Sequence, residues 1–112
     1  MDNQTPVYRS LLTPLRFLER STSVFRDKIA VVHGDLQYTY AEFGKRVNRL
    51  ASALRDAGVE RGDRVAFLCP NIPPLLEAHF GVPLAGAVLV AINVRLSPNE
   101  VVYIINHSGA KY

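Results

Sequence analysis

Cysteine is nearly absent from the sequence. Cys69 is the only one among 112 residues, so no internal disulfide can form and a small secreted disulfide scaffold is excluded. Such usage suits an intracellular, reducing location. Flanked by Val65, Ala66, Phe67 and Leu68, Cys69 is expected to be a small buried hydrophobe rather than a catalytic thiol. Long apolar runs are missing as well: no stretch reaches the roughly 18 uninterrupted apolar residues of a membrane span. Met1 to Ser10 lack the basic start and apolar run of a signal peptide. The expectation is a protein neither exported nor membrane-spanning.

The usual signatures of phosphate and metal chemistry are also missing. Neither the dinucleotide fingerprint nor the phosphate loop ending in Gly-Lys-Ser/Thr occurs, so no recognised cradle for phosphates is present. His33, His79 and His107 stand far apart, and Cys69 joins none of them in a zinc-ligand spacing, which argues against a metal site. No strand–turn–helix nucleophile motif anchors a Ser, His and Asp triad. The charge is not concentrated either. Thirteen Lys plus Arg against ten Asp plus Glu leave +3, but Arg9, Arg16, Arg20, Arg26, Lys45, Arg46, Arg49 and Arg55 are dispersed. A nucleic-acid binder gathers such charge on one face, so no nucleic-acid partner is expected. The Lys45, Arg46 and Arg49 cluster reads as a solvated outer helix face.

What is present is an ordinary globular composition, 48% apolar and 21% charged, long enough for one small domain with a core. Leu12-Thr13-Pro14 starts a helix, with Thr13 as N-cap, Pro14 in the first position, and Leu15, Leu18 and Val24 facing inward. Ile29 to His33 and Leu36 to Tyr38 form a hairpin around Gly34-Asp35. Thr39-Tyr40-Ala41-Glu42 is a capping box that opens a helix with Phe43, Val47, Leu50, Ala51 and Leu54 on its inner face, stopped at Gly58. Val65 to Cys69 is expected to be an inner parallel strand covered on both faces. A helix bearing Leu75, Leu76, His79 and Phe80 follows, which Pro83 should kink or end. Ala87 to Ile92 closes a βαβ unit. Ser97-Pro98-Asn99-Glu100 starts a last helix with Val101, Ile104 and Ile105 inward and Gly109 at its end. Ala110-Lys111-Tyr112 looks like the first residues of another strand, so the chain is expected to be the opening portion of a larger domain.

In a doubly wound sheet, ligands bind beyond the carboxyl ends of the strands, which directs attention to Pro70-Asn71 and Asn93-Val94-Arg95. Arg95 could meet a carboxylate or a phosphate, although a salt bridge or a solvated turn residue is the ordinary role. His79, on a largely apolar helix, reads as a satisfied core or boundary residue.

From Leu36 to Lys111 the sequence resembles the N-terminal stretch of the adenylate-forming acyl-activating enzymes, the AMP-binding acyl-CoA synthetases. The resemblance rests on ordered pieces: Gln37-Tyr38-Thr39-Tyr40-Ala41-Glu42-Phe43, Arg46-Val47-Asn48-Arg49-Leu50-Ala51 with Gly58-Val59, and Gly62-Asp63-Arg64-Val65-Ala66 leading to Pro70-Asn71. It continues through Leu84-Ala85-Gly86-Ala87-Val88 and Asn93-Val94-Arg95-Leu96-Ser97 to His107-Ser108-Gly109-Ala110-Lys111. Leu12 to Arg20 and His79-Phe80-Gly81-Val82-Pro83 are similar to the plant peroxisomal acyl-activating enzymes and their bacterial counterparts, the fatty acyl-CoA ligases.

The resemblance implies an α/β fold: a β-hairpin plus an incomplete, mainly parallel doubly wound sheet with helices, residues 1–112 being an incomplete N-terminal portion of an AMP-binding domain with no second domain. It implies an acid–thiol ligase of fatty acid metabolism for the whole protein. A carboxylic acid would attack the α-phosphate of ATP, giving an acyl-adenylate and pyrophosphate, and the thiol of coenzyme A would displace AMP, with Mg2+ supporting the first step. The family's phosphate loop, adenine- and ribose-contacting motifs and catalytic lysine lie downstream of Tyr112, and its acyl pocket is built mainly from later segments. No catalytic, cofactor-binding or metal residue is therefore assigned, and the 112 residues alone are expected to be inactive, binding none of these ligands well. A cytoplasmic location follows, or a peroxisomal one in a plant. Two other readings stay open: a non-catalytic binding module that kept the scaffold, and an adenylating enzyme with a different acyl acceptor.

Overall fold

A computed structural model describes residues 9–112; the reading of a missing leader over Met1 to Ser10 falls largely outside them. The first helix, α1 (Pro14–Val24), starts where expected, the Thr13 hydroxyl accepting from the Arg16 N–H at 3.3 Å. Leu15 and Leu18 are half-buried, but Val24 is 58% exposed. Six residues beyond Leu18 it lies about 240° round the helix and cannot share that face. Strands β1 (Ile29–His33) and β2 (Leu36–Thr39) pair antiparallel, with Gly34 at φ +58° in the turn.

Thr39 ends β2 and caps α2 (Tyr40–Asp56). Its hydroxyl accepts from the Glu42 N–H at 3.2 Å while its own N–H donates to the Glu42 carboxylate at 2.8 Å. This reciprocal box converts strand into helix without a loop. Phe43, Val47 and Ala51 are buried, Leu50 and Leu54 half-buried.

Strands β3 (Arg64–Leu68) and β4 (Val88–Ile92) are parallel, with Val65 opposite Leu89 and Leu68 opposite Ile92. Helix α3 (Pro73–Leu84) makes the crossover, as the βαβ pattern requires. Two expectations change here. The strand stops before Cys69, which is only half-buried, and Leu68 and Val88 are 57% and 50% exposed, so the described residues leave the pair incompletely covered. Pro83 stands one residue before the end of the helix at Leu84, close to where it was expected to kink or end it. Standing in the last turn it forfeits one backbone bond, and the chain turns away immediately afterwards, the Ala85 N–H reaching the Gly81 carbonyl at 3.0 Å and the Gly86 N–H the Pro83 carbonyl at 2.9 Å.

The last helix, α4 (Pro98–Ser108), has its full capping box at Ser97 and Glu100 and ends at Gly109, φ +67°. It buries no residue completely: Val101 and Ile104 are half-buried and Ile105, expected inward, is 37% exposed. Beyond it the Lys111 N–H donates to the Arg64 carbonyl at 3.1 Å and the Ala66 N–H to the Tyr112 carbonyl at 2.8 Å. The Asp63 carbonyl accepts from the Val88 N–H at 2.8 Å. Backbone groups alternate sides along a strand, so Arg64 and Ala66 present the edge away from β4. Of the three residues expected to begin a strand, Lys111 and Tyr112 thus bond to β3 without forming a regular one, while the Ala110 N–H turns back to the Ile105 carbonyl at 3.3 Å.

The core sits on both sides of the α2–α3 contact. Val59, Val65, Ala78, Val82 and Ala87 form one cluster, and Val31, Phe43 and Val47 the other. Phe43 meets Phe80 edge-on with ring centroids 5.7 Å apart. Gly81 lets the helices close: a Cβ there would lie 2.7 Å from Leu50 Cδ2 and 3.1 Å from Leu50 Cβ.

Candidate functional site at the carboxyl edge

Because β3 and β4 run parallel, their carboxyl ends open on the same side, and the loops after them meet there. The two segments singled out in the sequence, Pro70-Asn71 and Asn93-Val94-Arg95, line one open groove of ≈ 610 Å³ together with Leu75 and His79 of α3. A second groove of ≈ 350 Å³ lies between β1 and the start of α3, walled by Val31, Val32, Ile72 and Leu76. Asn71, Leu75 and His79 border both. The hairpin's part in this edge was not visible in the sequence, since β1 and α3 are brought together only by packing.

Asn93 shapes its loop by accepting the Arg95 N–H on its side-chain oxygen at 2.9 Å. Arg95 itself is exposed and forms no ion pair among the described residues. Of the two ordinary roles expected, it takes that of a solvated turn residue, on the border of the groove. Cys69 borders the same groove. His79 is exposed rather than a core residue, and its Nδ1 lies 2.8 Å from the Leu75 carbonyl one turn earlier. His33 borders the smaller groove, whereas His107 stands on α4 with its ring stacked on Tyr103 at 5.6 Å.

Free N–H groups at a helix start attract anions, but at the start of α1 the Arg16 N–H already goes to the Thr13 hydroxyl. In α2 and α4 those groups are occupied by the helices' own Thr39, Glu42, Ser97 and Glu100. Helix α3 begins with Pro73 and Pro74, which have no N–H to offer. Among the described residues no three His, Cys, Asp or Glu side chains stand together as metal ligands.

Charges off the site are structural. Arg46, expected on a solvated face with Lys45 and Arg49, instead donates through Nε to the carboxylate of buried Glu77 and lies over the Tyr38 ring at 4.7 Å. The Glu77 hydrogen bond raises the Arg46 pKa. A lone Glu in the apolar run from Pro73 to Leu84 was the one sign that a cation must come to it. Asp63 accepts the Glu60 N–H at 2.9 Å and pairs with Lys111 at 3.3 Å, and these hold its carboxyl below the usual range, the Glu60 N–H most strongly. The Ser97 N–H lowers Glu100 in the same way. Arg64 donates to the Ser108 carbonyl at 2.7 Å, tying the end of α4 to β3.

The family described as AMP-binding enzyme matches residues 18–112. Among curated relatives, 4-hydroxybutyrate–CoA ligase 2 of Metallosphaera sedula is 53% identical over 108 residues, covering 96% of this chain and 20% of that protein. The peroxisomal acetate/butyrate–CoA ligase AAE7 of Arabidopsis thaliana is 45% identical over 103 residues, covering 92% and 18%. Among solved structures, the N-terminal domain of FACL13 from Mycobacterium tuberculosis superposes with a TM-score of 0.83 at 36% identity, over 87% of this chain and 25% of that one. The chain thus spans about a fifth of the length of these curated relatives.

Proposed function

The chain belongs to the AMP-binding enzyme family, and on that premise we propose that residues 1–112 are the N-terminal portion of the AMP-binding domain of an ATP-dependent acyl-CoA ligase. The observation that carries this reading is the 53% identity to a CoA ligase over nearly the whole chain. A carboxylate is a poor electrophile until one of its oxygens belongs to a good leaving group. In the longer protein the acid would attack the α-phosphate of ATP, releasing pyrophosphate, and the thiol of coenzyme A would then displace AMP. Magnesium would offset the phosphate charge during the first step.

The substrate class is a short-chain carboxylic acid, plain or hydroxylated, as the named relatives act on 4-hydroxybutyrate and on acetate or butyrate. A cytoplasmic location, or a peroxisomal one in a plant, goes with this reading. Among the described residues no helix is long and apolar enough to cross a membrane. The contribution of these residues is scaffold. The capping boxes of α2 and α4 occupy N–H groups that could otherwise meet a phosphate, and Arg95 is a cation the carboxyl edge offers to an anionic group. The test is acid-dependent exchange of pyrophosphate into ATP. The protein read through the whole reading frame should show it with butyrate or 4-hydroxybutyrate, and the 112-residue chain should not. Exchange by the short chain would overturn the scaffold reading; no exchange by the long one with any acid would overturn the ligase.

A further inference from the structure

With Asn71, His79 is one of two polar residues that border both grooves of the carboxyl edge, and nothing in the scaffold role requires a histidine there. It is exposed, on a helix whose neighbouring positions are apolar, and borders both the ≈ 610 Å³ and the ≈ 350 Å³ groove. Its orientation is held. Nδ1 lies 2.8 Å from the Leu75 carbonyl oxygen, which can only accept, so Nδ1 must carry the proton. In the neutral ring the lone pair is then confined to Nε2, and Nε2 has no partner among the described residues. A tethered imidazole with one free acceptor is suited to receive a hydrogen bond and cannot swivel to donate one without losing its tether.

From this geometry we propose that His79 is a substrate-positioning residue, its Nε2 accepting a hydrogen bond from a hydroxyl or amide N–H of a small molecule lying along the carboxyl edge. Asn71 borders the same two grooves and carries a second donor and acceptor. Two sources share this chemistry: the hydroxyl of a hydroxylated short-chain acid in the apolar groove, and the hydroxyl and amide groups of the pantetheine arm of coenzyme A in the more polar one. The inference rests on the ligase reading above.

The experiment uses the complete protein with its own His79, His79→Phe and His79→Gln, assayed with butyrate, 4-hydroxybutyrate and coenzyme A. Phe keeps the ring shape and loses the acceptor, whereas Gln restores an acceptor near the place of Nε2. His79→Phe should raise one KM about ten-fold, the effect of one lost hydrogen bond, with kcat and the melting temperature nearly unchanged, and His79→Gln should recover most of it. A rise confined to 4-hydroxybutyrate assigns the hydroxyl of the acid; a rise in the KM for coenzyme A with either acid assigns the pantetheine arm. Unchanged KM values in His79→Phe, or a loss that follows the melting temperature and is not recovered by Gln, would overturn the proposal. If the native protein is inactive with every acid, the ligase reading has failed instead, a result visible before any variant is made.

Discussion

The α2–α3 contact and the β3–β4 pair lie side by side, and they are finished to different degrees. Between the helices Val47, Ala51, Ala78 and Val82 are sealed, Gly81 accepts Leu50 at close range, and a buried carboxylate has its arginine. On the strands, Leu68 and Val88 stand half open, and the free edge of β3 holds two backbone bonds to Lys111 and Tyr112. Helices α1 and α4 bury no residue completely. Among the described residues the α2–α3 contact is therefore the one that closes fully, while a parallel sheet needs neighbours on both faces and both edges.

The comparison breaks most sharply at Gly81. Gly81→Val should destabilise by about 2–3 kcal/mol, because the added methyls strike Leu50 along its whole length and force the helices apart. Denaturant unfolding measures this, and a change within about 0.5 kcal/mol, the size of an ordinary surface substitution, would mean that the helical layer is as loose as the sheet.

A smaller, pH-dependent effect belongs to the sheet's border. The Asp63 carboxyl titrates below its ordinary value of 3.8, so its folded pKa is lower than its unfolded one. The stabilisation is then present above the unfolded value and lost as pH falls through the folded one. Asp63→Asn should flatten the decline of the unfolding midpoint below about pH 4 that this linkage produces. An unaltered profile would show that the Glu60 and Lys111 contacts of Asp63 contribute nothing.

The smallest effect should be at Leu68. Leu68→Ser should change the stability of the 112-residue chain by less than about 0.5 kcal/mol, as at other exposed positions. In a longer protein whose added strands cover it, as proposed above, the same substitution should cost about 1–2 kcal/mol. Equal costs in both would remove the contrast between a finished layer and an unfinished one.

Much of the fold was legible because its signals are local. Thr13, Thr39 and Ser97 cap their helices as read, since an N-cap bond spans three residues and needs nothing from elsewhere. The parallel pairing of the two apolar runs followed from the length of the connection between them. The misreadings have non-local causes. Arg46 looked solvated because its partner Glu77 is 31 residues away. Cys69 looked buried because an apolar run was taken as covered along its whole length. Val24 and Ile105 were placed inward but stand 58% and 37% exposed, since what packs on a helix face is not written in the helix itself.

At the carboxyl edge the same division holds. Asn71, Asn93 and Arg95 could be named from strand order alone, while the hairpin wall of the second groove and the pinned ring of His79 could not. By itself the sequence determined the helices, the strands, the caps and the family, all of which depend on short-range bonding or on ordered identity. Tertiary structure alone decided which charge is buried, which apolar face stays open and where the two grooves meet, because these depend on residues far apart in the chain being brought to the same place.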